Sequence, residues 1–223
     1  MGFLDDLKRQ ADAARALQTT DSGFLERQAA LTDAACQTAF HYLATLAQQL
    51  NVLCPSSKAS YRLDRRQAFD GLRLCDFRAD ARRRKLRSHD AFDHVVLRWR
   101  LVSGQPVSFV KNFLPDIEQL ESKLRRSGAT FDAQAVRHPQ TAKLQEMRYE
   151  LKADFEASVH IAPDHDAGRV RFELVNLDGF ETVSVEFASF EIGTGRMDEL
   201  ARWIVGEPSS FLQGGQQLRR VEA

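Results

Sequence analysis

Between Met147 and Ile161 every second residue is apolar, the set being Met147, Tyr149, Leu151, Ala153, Phe155, Ala157, Val159 and Ile161. Arg148, Glu150, Lys152, Asp154, Glu156, Ser158 and His160 stand between them. A helix would mix these two sets around its surface, whereas a strand sends them to opposite faces. The segment is therefore read as a strand with one apolar and one charged side. It is longer than the usual strand of about 5–6 residues, so a bend or bulge is expected within it. Its neighbours supply partners: Phe131–Arg137 across the turn 138–143, and Arg169–Asn176 across Pro163–Gly168. Asp178-Gly179 is a hairpin turn into Glu181–Phe190.

Upstream, Leu72 and Leu74 alternate with Arg73 and Cys75, and Val95, Leu97, Trp99 and Leu101 alternate with polar or smaller neighbours. Ser103-Gly104-Gln105-Pro106 reads as a turn leading to a further strand over Val107–Phe113. Helical periodicity takes three places. An amphipathic stripe of Phe3, Leu4, Leu7, Ala11 and Ala14 ends near Gln18, and Thr19–Gly23 offers capping residues for a second, long helix. In that helix Cys36, Ala39, Leu43, Leu46, Leu50 and Leu53 recur at steps of four and three, a seam that must meet something apolar. A middle helix begins near Pro115, carries Ile117, Leu120 and Leu124 on one face and stops at Gly128. The last helix has Thr194 as its cap, Asp198 and Glu199 in its first turn, and Met197, Leu200, Ala201, Ile204 and Val205 as its buried stripe.

The expected fold class is α+β: a twisted, mainly antiparallel meander sheet with a long N-terminal helix, one middle helix and a C-terminal helix. The expected division is an amphipathic helix over 1–20, a globular domain over 21–212 with sub-blocks 21–128 and 129–212, and a flexible tail over 213–223. Hydrophobic residues make up 43% and charged residues 28%, the balance of a globular chain rather than a disordered one. Acidic and basic residues number 31 each, so no global field draws the chain to nucleic acid or anionic lipid. No apolar run reaches the roughly 18 residues of a membrane span. The three cysteines, Cys36, Cys54 and Cys75, are widely spaced and form no Cys-x-x-Cys pair, which favours reduced thiols in the cytoplasm.

Chemistry-bearing residues are few. No nucleophile elbow, phosphate loop, dinucleotide fingerprint, zincin motif or EF-hand loop occurs, and nothing calls for a cofactor. Histidine and aspartate adjoin at His89-Asp90, Asp93-His94 and His165-Asp166, so His94, Asp164, His165 and Asp166 are candidate metal ligands. Asp and Gly in the turn at 163–168 also serve the turn itself, because Asp bonds its own backbone and Gly accepts positive φ. Arg82, Arg83, Arg84, Lys85 and Arg87 form a basic stretch that alternates sides if extended, so it is a protruding hairpin or an exposed edge. Phosphate-rich partners are one use for it. No aromatic RNA-binding motif or helix-turn-helix accompanies it, which weighs against nucleic acid.

The opening Gly2-Phe3-Leu4-Asp5-Asp6-Leu7-Lys8-Arg9-Gln10-Ala11 and the closing Asp198-Glu199-Leu200-Ala201-Arg202-Trp203-Ile204-Val205-Gly206-Glu207-Pro208 resemble segments of uncharacterised bacterial proteins. The resemblance covers these ends alone and implies bacterial origin without an activity. The leading expectation is a non-enzymatic binding or assembly protein, self-associating through Leu43, Leu46, Leu50 and Leu53 or receiving a protein partner. The alternatives are a small-molecule or lipid binder with a helix-covered concave sheet, a metal-assisted hydrolase using the strand-end His and Asp residues, and a nucleic-acid binder using 78–87.

Overall fold

A computed structural model describes residues 3–64, 66–87 and 89–222, with the side chains of 3–22 and Gln105 outside that description. One helix, α1 (Phe3–Leu53), opens the chain. Two short strands follow, β1 (Ser60–Arg62) and β2 (Ala68–Asp70), and then the long hairpin of β3 (Arg73–Leu86) and β4 (His89–Lys111). Helix α2 (Leu114–Arg126) leads into β5 (Phe131–Arg137), β6 (Leu144–Asp164), β7 (Arg169–Val175) and β8 (Glu181–Ala188). After α3 (Thr194–Ile204) the chain ends on β9 (Gln216–Glu222).

The alternating segment is the middle of β6, a strand of 21 residues. It pairs with β4 along one edge, and along the other with β5 over its first half and β7 over its second. Strands from both expected sub-blocks therefore share one antiparallel sheet in the order β3-β4-β6-β7-β8-β9, with β5 beside β6. β1 and β2 form a separate pair whose Tyr61 and Phe69 close one end of the core. The Tyr61 hydroxyl donates to Leu177 O at 3.0 Å.

Tyr149, Leu151, Ala153, Phe155, Ala157, Val159 and Ile161 are all buried. With Val95, Leu97, Trp99 and Leu101 of β4 they make the apolar side of the sheet, and the buried stripes of α1, α2 and α3 join the same core. Cys36, Ala39, Leu43 and Leu50 are buried there. The seam is thus spent within the chain, Leu46 being half-buried and Leu53 70% exposed at the helix end. This corrects the expectation that Leu43 and Leu50 offer themselves to a second copy: the sheet already covers them.

Four further expectations change. The backbone does not break at Thr19–Gly23, because α1 runs through it unbroken. The stripe of Phe3, Leu4, Leu7, Ala11 and Ala14 falls on side chains outside the described ones. Ser103–Pro106 is a bulge inside β4 rather than a turn. Val102 pairs with Asp154 and Pro106 with Lys152, so four steps along β4 match two along β6. The excess is even, so Leu101 and Phe109 stay on one face.

Thr194 lies inside α3, with Gly193 at its cap and no side-chain capping bond. Asp198 and Glu199 lie past the first turn and hold neighbours instead. Asp198 accepts the Tyr42 hydroxyl at 2.6 Å, and Glu199 accepts the Ser210 N–H at 2.6 Å.

The C-terminal segment is the fourth case. Phe211 is buried against Phe172, Phe187 and Trp203, with ring centroids 5.2, 5.3 and 6.1 Å apart. Arg196 donates to Phe211 O at 2.8 Å and to Gln213 O at 2.7 Å. Gly215 passes so close to Val185 that a Cβ would sit 2.3 Å from its methyl. Gly214, at φ +77°, and Gly215 form a tight turn that delivers β9 onto β8, where a flexible tail over 213–223 was expected. No described helix is long and apolar enough to cross a membrane.

Candidate functional site: the charged face of the sheet

Every buried odd-numbered position of central β6 implies an even-numbered one on the other side, and among the described residues no helix stripe joins that side. β4 places His94, Val96, Arg98 and Arg100 there, and β6 places Lys152, Asp154, Glu156, Ser158 and His160 beside them. Arg98 and Glu156 keep about two thirds of their side-chain surface in water, at 66% and 64%. Opposite charges meet across strands. Arg100 Nε donates to Asp154 Oδ1 at 2.8 Å, Arg98 Nε lies 3.8 Å from Glu156 Oε1, and Arg171 donates twice to Glu186 Oε1, at 2.8 and 2.6 Å. The exposed Arg98–Glu156 pair adds only about 0–1 kcal/mol and serves register more than stability, whereas Asp154 and Glu186 are mostly buried against their arginines.

A recess of about 1000 Å3 opens on this face between β3, β4 and β6, bounded at one rim by Gly128 and Thr130 behind α2. Its wall carries four cations, Arg78, Arg98, Arg100 and Lys152, and four carboxylates, Asp76, Asp80, Asp154 and Glu156. Arg98 and Arg100 are engaged by Glu156 and Asp154. The helices pack on the apolar face; the recess opens mainly on its reverse, with Trp99 and Phe155 also reaching its wall.

His94 stands at the edge of the recess. Its ring lies 5.4 Å from that of His160, and its Nδ1 is 3.1 Å from Asp93 Oδ2. Desolvation, then the neighbouring His94 and Arg98, hold the His160 imidazole below its ordinary pKa, with Glu173 and Asp93 opposing. A histidine whose pKa is depressed on folding favours the folded state while neutral. That contribution is present above the unfolded value of about 6.5 and is lost as pH falls through the folded value. The slope of melting temperature against pH below about 6.5 is therefore expected to be shallower in His160→Gln than in the parent, as differential scanning fluorimetry would read; an unchanged slope refutes it.

The other candidate ligands do not join His94. The His165 ring is buried, and its Nε2 donates to Phe92 O at 2.7 Å, pinning the β6–β7 turn to β4. Asp164 accepts the Ala167 N–H at 3.0 Å, the side-chain turn bond that a tight connection uses. Asp166 pairs with Arg87. These three line a smaller recess of about 310 Å3 with Arg84, Arg169 and Arg171. Among the described residues no three His, Cys, Asp or Glu side chains are grouped to hold a metal ion.

The basic stretch is the tip of the β3–β4 hairpin and the free edge of β3, as its alternation implies. Arg83 pairs with Asp33 at 2.9 Å and lies 4.3 Å over the Phe92 ring, and Arg84 lies 3.3 Å from Asp93. With Arg87 on Asp166, three of the five cations are compensated within the chain. Among the described residues Arg82 and Lys85 are the ones left without an ion pair, a thin footprint for a polyanion.

Arg98, Arg100, Lys152 and Asp154 were not singled out by motif, because they belong to none. Their signal was the polar half of the alternation. Glu186, buried between Arg169 and Arg171, gave no signal at all, since nothing local distinguishes it from an exposed strand carboxylate. Comparison with models of protein families, with curated proteins and with solved structures gave no match.

Proposed function

We propose that the protein is a non-enzymatic binding protein and that the charged face of its sheet receives a protein partner. The observation that carries this reading is the recess of about 1000 Å3, with cations and carboxylates interleaved four to four along its wall. A polyanion would meet as many repelling groups as attracting ones there, whereas a polypeptide bearing both signs can match them pair by pair. Arginine, which supplies three of the four cations, is also the charged side chain most favoured at protein interfaces. The sheet itself is held from behind by the helices, so the face is rigid and available without rearrangement.

Photo-crosslinking in the producing cell tests the reading. A photoreactive residue in place of Arg98 or Lys152 is expected to give the same discrete adduct, and one in place of Glu118, exposed on α2, none. The double change Arg98→Gln, Arg100→Gln should reduce the Lys152-site adduct about tenfold with only a modest fall in melting temperature, because neutral side chains remove the two pairs without setting like charges against Asp154 and Glu156. Absence of an adduct, or the same adduct from all three positions, would remove the proposal.

A further inference from the structure

Cys54 directly follows α1, and Cys75 lies near the start of β3, far off in sequence. The fold brings them together. The chain leaving α1 runs along the free edge of β3: Ser57 N donates to Leu72 O at 2.8 Å, and Leu74 N donates to Pro55 O at 2.9 Å. These two bonds flank an antiparallel bridge between Ser56 and Arg73, which makes that bridge a non-hydrogen-bonded pair. Two residues further on each side Cys54 and Cys75 come beside each other, although Cys54, at φ +41° and with its N–H on Leu50 O at 2.8 Å, closes the helix rather than extending the ladder. A disulfide needs Cα atoms about 4.4–6.8 Å apart, a span within which residues paired across a bridge such as Ser56–Arg73 already fall.

Both thiols are free and partly exposed, whereas Cys36 is buried. Cys54 Sγ donates to Asn51 O at 3.2 Å, at the end of α1. The Cys54 sulfur lies beside the Cys75 thiol; burial first, and that sulfur next, push the thiol above its ordinary pKa, with Arg73 opposing. The Cys36 thiol is pushed up to about 12 by burial and by Asp33, which keeps it out of thiol chemistry.

We propose that Cys54 and Cys75 form a reversible disulfide with a low-molecular-weight disulfide as the oxidant, tying the end of α1 to the edge strand β3. The Cys54 thiolate attacks one sulfur of the small disulfide. That S–S bond breaks, one small thiolate leaves, and a mixed disulfide remains on Cys54. The Cys75 thiolate then attacks the Cys54 sulfur, the mixed S–S bond breaks and the second small thiolate leaves. The two leaving thiolates take up the two protons that the cysteines lost. The pair is oxidised by two electrons and the small disulfide is reduced by two.

The tie has a mechanical neighbour. Asn51 donates to Phe77 O at 2.9 Å and accepts the Phe77 N–H at 2.8 Å, so the last turn of α1 already clasps β3 at its bulge. Asp76 and Arg78, on either side of Phe77, line the large recess. Oxidation therefore stiffens the wall of that recess, yet the disulfide stands or falls without the binding proposal.

The reduced full chain, incubated with oxidised glutathione and then quenched with acid, decides the matter. Free thiols titrated in denaturant are expected to fall from the three of the sequence to one, and the intact mass to fall by two hydrogens with no cross-linked dimer. Digestion should yield one cross-linked peptide holding residues 54 and 75, released by dithiothreitol. Cys54→Ser and Cys75→Ser should each have the thiol hydrogen of the remaining partner replaced by one glutathionyl group, and form no internal bridge. Three thiols left unreacted, glutathione retained on both Cys54 and Cys75, a bridge to Cys36, or covalent dimers would each overturn the assignment.

Discussion

Leu43→Asp is expected to abolish cooperative unfolding of the chain. Leu43 has no exposed surface, on the face of α1 that meets β3 and β4. Truncating such a leucine to alanine alone costs about 2–5 kcal/mol. An aspartate adds the cost of a carboxyl group with no hydrogen-bond partner, several kcal/mol more whether it ionises or takes up a proton. Together these approach the whole stability of an ordinary domain, about 5–15 kcal/mol. Leu53→Asp, about three helical turns further on but 70% exposed, should change stability by less than about 0.5 kcal/mol. Thermal melts read both, and sedimentation adds a sharper reading. Were the ladder a seam between two copies, Leu43→Asp would give a folded monomer, and that result would refute the placement of α1 on its own sheet.

Gly206→Ala is expected to destabilise the protein by about 3 kcal/mol or more, for two reasons that add. The residue terminates α3 at φ +77°, a conformation that costs a side chain about 1–2 kcal/mol. Its Cβ would also sit 2.6 Å from the Ala59 backbone nitrogen and 2.8 Å from that of Lys58, and backbone cannot swing aside as a side-chain tip can. Making room pushes the strand entry 58–59 away, stretching the Lys58 N–H bond to Val205 O, now 3.2 Å, and the Lys58–Glu207 ion pair. Gly23 provides the opposite sign. It lies inside α1, nothing stands within 4 Å of its added Cβ, and Gly23→Ala should stabilise by about 0.5–1 kcal/mol. Denaturant melts of the two alanine variants moving in the same direction would contradict the packing described.

Periodicity made the α+β class legible, and the reason is visible in β6: apolar and polar residues alternate there without exception from Met147 to Ile161. β5, β7, β8, α2 and α3 were placed within a few residues by their own short-range patterns. The misreadings share a cause. Ser103–Pro106 carries good turn chemistry, yet an even-numbered bulge uses the same residues, and local sequence does not separate the two. Thr19–Gly23 carries good capping chemistry, but helix propagates through it. The segment 213–223 read as a flexible tail because the close approach of Val185 to Gly215 belongs to tertiary structure. The candidate site followed the same rule. The charged face was implied by alternation, whereas the recess, the buried Glu186 and the Cys54–Cys75 juxtaposition arise from segments distant in sequence.

The position of β6 has a consequence for biogenesis. Until residues 144–164 have emerged from the ribosome, one full edge of β4 has no strand to bond, and Val95, Leu97, Trp99 and Leu101 have only part of their apolar surroundings. A nascent chain halted between the two strands would thus display a long sticky border. A holdase or rapid elongation through the stretch from α2 to β5 should raise the yield of native product, because non-local strand pairing is slow and exposed borders aggregate.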